Sequence, residues 1–132
     1  FSKLERFVGR KLYEVNFYTQ AVPFSVELLI YGQGTDDEPG QLLYNKAISG
    51  INENSWNDHT LTTPLDITGE ELWISIRFNL PEDMRTIGCD PGPAENNGDR
   101  MLDYFNADWT TLRDYTTNEV DINWNIRGQI TD

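Results

Sequence analysis

The feature that most constrains this chain is a hydrophobic period of two that recurs along nearly its whole length. Residues 120–130, VDINWNIRGQI, show it most cleanly. Val120, Ile122, Trp124 and Ile126 fall on one side, and Asp121, Asn123, Asn125 and Arg127 fall on the other. A pleated strand sends successive side chains to opposite faces, so this pattern predicts a half-buried β-strand. KLYEVNFY (11–18) sets Tyr13, Val15 and Phe17 against Glu14 and Asn16. SVELLIY (25–31) sets Val26, Leu28 and Ile30 against Glu27 and Leu29. ELWISIRFN (71–79) sets Leu72, Ile74, Ile76 and Phe78 against Trp73, Ser75 and Arg77. Residues 41–48, 55–62, 100–105 and 110–115 are shorter strand candidates.

The segments between these runs carry turn chemistry. GQGTDDEPG (32–40) and SGINEN (49–54) read as loops, and ITGEE (67–71) as a tight turn in which Gly69 supplies a positive φ. The helical signal is confined to the N-terminus. There SKLE has the capping-box form, with Ser2 as N-cap and Glu5 reaching back, and residues 2–8 are expected to form one helical turn over an open end of the fold. Alternating strands need two inner faces to bury their apolar rows. The expected fold is therefore all-β, an antiparallel β-sandwich of jelly-roll-like form, built as a single domain over residues 1–132.

Charge and composition narrow the function. The net charge is −12, which opposes nucleic acid and anionic membrane as partners. No apolar run reaches the ~18 residues of a membrane span. The chain opens on Phe1 with neither Met nor leader, and the expectation is a mature fragment or a trimmed piece, in which an export signal would not be seen. One cysteine, Cys89, and one histidine, His59, exclude an intrachain disulfide and a Cys/His zinc site. No nucleophile elbow, zincin motif or phosphate loop is present, and a Cys89–His59 dyad lacks an orienting partner. With 22 acids in the chain, a carboxylate pair at glycosidase spacing arises by chance, so the expectation is no enzyme. No cofactor is expected, with calcium left open. Its candidate oxygens are Asp36, Asp37 and Glu38 in one loop, or Asp90, Glu95 and Asp99 in another, and neither set has the EF-hand pattern.

Four tryptophans are many for 132 residues. Trp124 lies on the apolar side of its run and reads as core. Trp73 lies opposite Leu72, Ile74 and Ile76, and reads as outer face or packed under a loop. Trp109, in FNADWTTL, reads as a loop residue beside Asn106 and Asp108. An aromatic among amides and acids suits a sugar ring, which stacks its C–H face and hydrogen-bonds its hydroxyls. The candidate ligand-binding residues are Trp109, Tyr115 and Asp99.

A set of motifs spans nearly the whole chain: F-x-x-L-x-x-F-x-G-x-K-L-x-x-V-x-F-Y from Phe1, V-x-L-L-I-Y from Val26, P-G-Q-L-L-Y from Pro39, W-N-D-H-T-L from Trp56, P-L-D-I from Pro64, E-L-W-I from Glu71, G-C-D-P-G-P from Gly88, N-G-D from Asn97 and N-W-N-I-R-G from Asn123. This resembles the adhesin-type β-sandwich modules of surface lipoproteins and secreted peptidases in Bacteroidetes-type bacteria, with gingipain-type adhesin modules as a related architecture. The resemblance implies a jelly-roll-like sandwich at the cell surface or outside the cell. It implies a non-catalytic accessory module for adhesion, monomeric within a longer chain, with glycan or a host surface protein as partner. The alternative is a stability module of a larger peptidase or hydrolase, with no ligand of its own. In this reading GCDPGPAENNGDRMLDYF (88–105) is architecture first: Cys89 is a small buried hydrophobe at a strand end, the prolines stiffen the exit, and Gly92 and Gly98 allow the turn.

Overall fold

A computed structural model describes residues 1, 3–79, 87–103 and 106–132. The alternating runs form antiparallel strands in two three-stranded sheets. The front sheet has the order β10-β1-β4, from Ile126–Ile130, Lys11–Thr19 and Ser55–Asp66. The back sheet has the order β3-β2-β5, from Leu42–Ile48, Ser25–Tyr31 and Trp73–Asn79. The chain crosses between layers after β1, β3, β4 and, by way of a long excursion, β5, as in jelly-roll arrangements and unlike a simple meander. One core joins the layers. Leu12, Val15 and Leu61 of the front sheet meet Leu28, Ile30 and Tyr44 of the back sheet, with Leu72 at one end. Gly128 lies between them, and a Cβ there would come 2.9 Å from Leu12 Cδ1.

The first strand departs from strict alternation. Its pairing with both neighbours shifts between Leu12 and Glu14, which marks a bulge at Tyr13. A bulge inserts a residue and reverses the facing of what precedes it. Leu12 therefore joins the core at 3% exposure, while Tyr13, expected inside, is 37% exposed. β2 is buried on both sides, since Leu29 on its outer side is covered as well.

At one end of this outer side lies the excursion between β5 and β10. It carries two small ribbons: β6 (Cys89–Asp90) with β9 (Asn123–Trp124), and β7 (Arg100–Asp103) with β8 (Asp108–Thr111). Trp109 of β8 meets Tyr31 of β2 edge-to-face, with centroids 6.3 Å apart. Arg100 and Asn97 hold the 32–40 loop through Asp36 O, and Arg100 also reaches Asp37 Oδ1 at 3.3 Å. The 120–130 run is thus not one strand. It changes partners at Asn125, which donates to Gly88 O and accepts from Tyr18 N. Val120–Ile122 stay outside it, and Trp124, expected in the core, is half-buried with its indole N–H donated to Arg100 O at 3.1 Å.

Other expectations meet the structure locally. A 3-10 turn, Glu5–Phe7, closes one end of the sandwich; Leu4 packs on the core, and Phe1 O accepts from Leu72 N. Its N-cap is Leu4, without a side-chain cap bond, and Ser2 lies outside the described residues. Gly69 has φ +98°, as the turn requires. Residues 110–115, expected as a strand, divide at Thr111. β8 ends there, and helix α1 (Leu112–Tyr115) begins because Thr111 Oγ1 accepts from Asp114 N at 3.0 Å. Tyr104 and Phe105 of the 100–105 run lie outside the described residues.

Candidate functional site

The outer face of the front sheet is built from the polar half of the alternation. Register places Glu14, Asn16 and Tyr18 of β1 between Trp56, Asp58 and Thr60 of β4 and Arg127 and Gln129 of β10. Asn16 is its hub. Its amide nitrogen donates to Glu14 Oε1 at 2.9 Å and to Asp58 Oδ1 at 2.6 Å. Its carbonyl oxygen accepts from Gln129 Nε2 at 2.8 Å. With both donors and its acceptor used, Asn16 is 8% exposed on a face otherwise open to water. Thr60 extends the network to Glu14 Oε2. The two carboxylates are held by neutral donors, and their remaining lone pairs point to no protein partner among the described residues.

Beside this network lies an aromatic platform. Tyr18 and Trp56 meet edge-to-face, with centroids 5.9 Å apart. The Arg127 guanidinium lies 4.1 Å from the centre of the Trp56 ring. Such stacking fixes the plane of a fork of five donors that is otherwise mobile. Acceptors held in place, a pinned donor fork and an exposed ring on one pleated surface can bind a flat, hydroxylated ligand by stacking and hydrogen bonds.

The residues expected to bind ligand lie elsewhere. Asp99 is buried, at 3% exposure; its Oδ2 accepts from Arg113 N at 3.0 Å and its carbonyl accepts from Leu112 N. It ties β7 to the start of α1 and faces no solvent. Trp109 lies in β8, not in a loop, and is half-buried against Tyr31. Tyr115 on α1 is exposed, and its ring does not stack with that of Trp109. His59 turns inward at the edge of β4 and bonds Tyr44 OH at 3.0 Å through Nε2, not Cys89. Burial, then the nearby Lys46 charge, holds His59 below its usual pKa. Neither of the two clefts of about 300 Å³, both at the end of the sandwich near Leu72, is lined by His59 or Cys89. Of the two calcium sets, Asp37, Asp90 and Asp99 are engaged by Arg100, by Gly92 and Asn123, and by Arg113, and no three His, Cys, Asp or Glu among the described residues form a metal-ligand group.

The 88–99 stretch is strapped from β9 and the residue pair before it. Asp121 Oδ1 accepts from Ala94 N at 2.7 Å, and Asn123 Oδ1 accepts from Glu95 N at 2.6 Å. Asp90 accepts from Gly92 N at 2.9 Å and from the backbone and side chain of Asn123. Cys89 is exposed, which corrects the buried reading. Gly88, just before β6, is buried beneath Tyr18, where a Cβ would come 2.6 Å from the ring, whereas Cys89 on the strand itself is open to water. The Gly92 amide, then the Asn123 side chain, hold the Asp90 carboxyl below its ordinary pKa of 3.8. A depressed acid pKa adds stability that is present above the ordinary value and lost as pH falls through the lowered one. Replacing Asp90 with Asn is expected to flatten the decline in Tm below pH 4, read by thermal melts at fixed ionic strength. An unchanged acid limb would show that Asp90 is not linked to folding.

The chain matches no protein-family model, no curated protein and no solved structure. The front face rests on geometry alone. Its residues were visible in the sequence as the polar members of three runs, but which runs lie side by side, and which face stays uncovered, depends on strand order.

Proposed function

We propose that the protein is a non-catalytic binding module and that a glycan lies along the outer face of the front sheet. The observation that carries this reading is the pairing of an exposed, pinned aromatic, Trp56, with the saturated Asn16 hub on an uncovered sheet. The outer face of the back sheet carries an exposed Glu27–Arg77–Asn45 cluster but no comparable aromatic platform among the described residues, and Trp109 of β8 packs on Tyr31 at one end of it. Sugar hydroxyls donate to the free lone pairs of Glu14 and Asp58 and accept from Gln129 and Arg127, while a ring stacks by Trp56 and Tyr18. Motif resemblance to adhesin-type modules supports the same class and an extracellular or surface-anchored setting. No helix among the described residues is long and apolar enough to cross a membrane.

The test is a glycan array followed by calorimetry on the best binder. Trp56→Ala is expected to weaken binding about 30-fold, the scale of a hot-spot aromatic of about 2 kcal/mol. It should cost less than about 1 kcal/mol of stability, the scale of an exposed cross-strand pair. Trp109→Ala should leave affinity unchanged and lower Tm, since its ring packs on Tyr31. Loss of binding in Trp109→Ala with Trp56→Ala silent would move the site to the excursion. A silent array would leave the stability-module reading standing.

A further inference from the structure

Arg127 has no carboxylate partner among the described residues, although the chain carries 22 acids and two of them share its face. The register explains this. Asn16 stands directly opposite Arg127 on β1 and takes both nearby carboxylates with its two amide hydrogens. Arg127 is left stacked on Trp56, with none of its five donors engaged by protein among the described residues. A planar guanidinium fixed in this way is preorganised for a bidentate carboxylate, and such charge-assisted pairs are about twice as strong as neutral hydrogen bonds.

We infer that Arg127 receives the carboxylate of one uronic acid residue within an otherwise neutral glycan. This rests on the glycan-binding reading of the same face. A sugar, not an acidic peptide, fits because Glu14 and Asp58 stand beside the arginine as fixed acceptors. Hydroxyls satisfy acceptors, whereas the carboxylates of an acidic peptide only repel them. The charge balance sets the number of acids. One unpaired cation beside two anions, in a chain of net charge −12, accommodates a single carboxylate and repels a run of them. Salt at physiological strength screens the repulsion beyond about 8 Å but leaves the local contact intact.

Calorimetry on the whole chain tests this with four probes: a xylo-oligosaccharide bearing one glucuronate, its carboxyl-reduced neutral form, an oligogalacturonate, and a poly-glutamate peptide. The singly acidic sugar is expected to bind at least about tenfold tighter than its reduced form, a charge-assisted pair being worth about 1.5–3 kcal/mol. R127Q should bring the two sugars to one affinity. R127K should recover only part of the preference, because it restores the charge without the fork. Melting curves of both variants check folding. Equal affinity of the acidic and reduced sugars in the parent protein, with Trp56→Ala weakening both, would overturn this inference and leave the glycan reading in place. Tighter binding of oligogalacturonate than of the singly acidic sugar would overturn the single-carboxylate assignment. Binding of poly-glutamate alone would overturn the glycan reading with it.

Discussion

Leu12→Ala is expected to cost about 2–5 kcal/mol, and Tyr13→Ala, one residue further on, no more than about 1 kcal/mol. Leu12 is fully enclosed in the cluster shared by both sheets, with Leu28, Ile30 and Leu72 among its members. Shortening it removes buried methyl groups and leaves a cavity that the opposed sheets cannot close, since Gly128 offers no side chain to fill it. For a domain whose whole stability is about 5–15 kcal/mol, such a loss lowers Tm on the order of 10 °C. Tyr13 stands on the bulge with its ring partly in water, so its removal leaves no void. Chemical denaturation of the two variants reads the difference directly. A larger cost at Tyr13 would mean that β1 alternates strictly and that the bulge lies elsewhere.

Gly92→Ala is expected to cost about 2–4 kcal/mol, the sum of a non-glycine residue at positive φ and a displaced strap. Gly92 has φ +76°, and a Cβ there would come 2.0 Å from Asp121 O. That contact cannot be relieved by turning a side chain, because the obstacle is backbone. The 90–95 segment must lift away from Asp121 and Asn123, and with it go the bonds to Ala94 N and Glu95 N. Gly50 provides the control. Its φ is +71°, but nothing lies within 4 Å of its would-be Cβ, so Gly50→Ala carries only the conformational cost of about 1 kcal/mol. Equal losses at the two sites would show that φ alone, and not the strap, makes Gly92 necessary.

Local pattern carried much of the fold. The runs 11–18, 25–31 and 71–79 became β1, β2 and β5 because their apolar residues recur with the pleat, and the turn at Gly69 followed from its freedom at positive φ. The candidate site was less legible. Trp109 stood among amides and acids, which suits a sugar in sequence, yet β8 turns its ring onto Tyr31. Asp99 was a surface acid by composition, yet it is buried where β7 meets the first turn of α1. Nothing local distinguishes an acid that caps a helix 14 residues away from one that meets solvent.

The amino-acid order by itself determined that the chain forms pleated strands with one apolar side each, that these need two layers, and that a single cysteine and a single histidine cannot make a disulfide or a Cys/His zinc site within these 132 residues. Only the tertiary structure decided which polar edges share a surface. The placing of Arg127 opposite Asn16, and so the absence of an acid partner for it among the described residues, is set by the pairing of β10 with β1, more than a hundred residues apart. The period of two states what a residue does within its strand; the neighbour it meets across the sheet depends on register, which long-range packing selects.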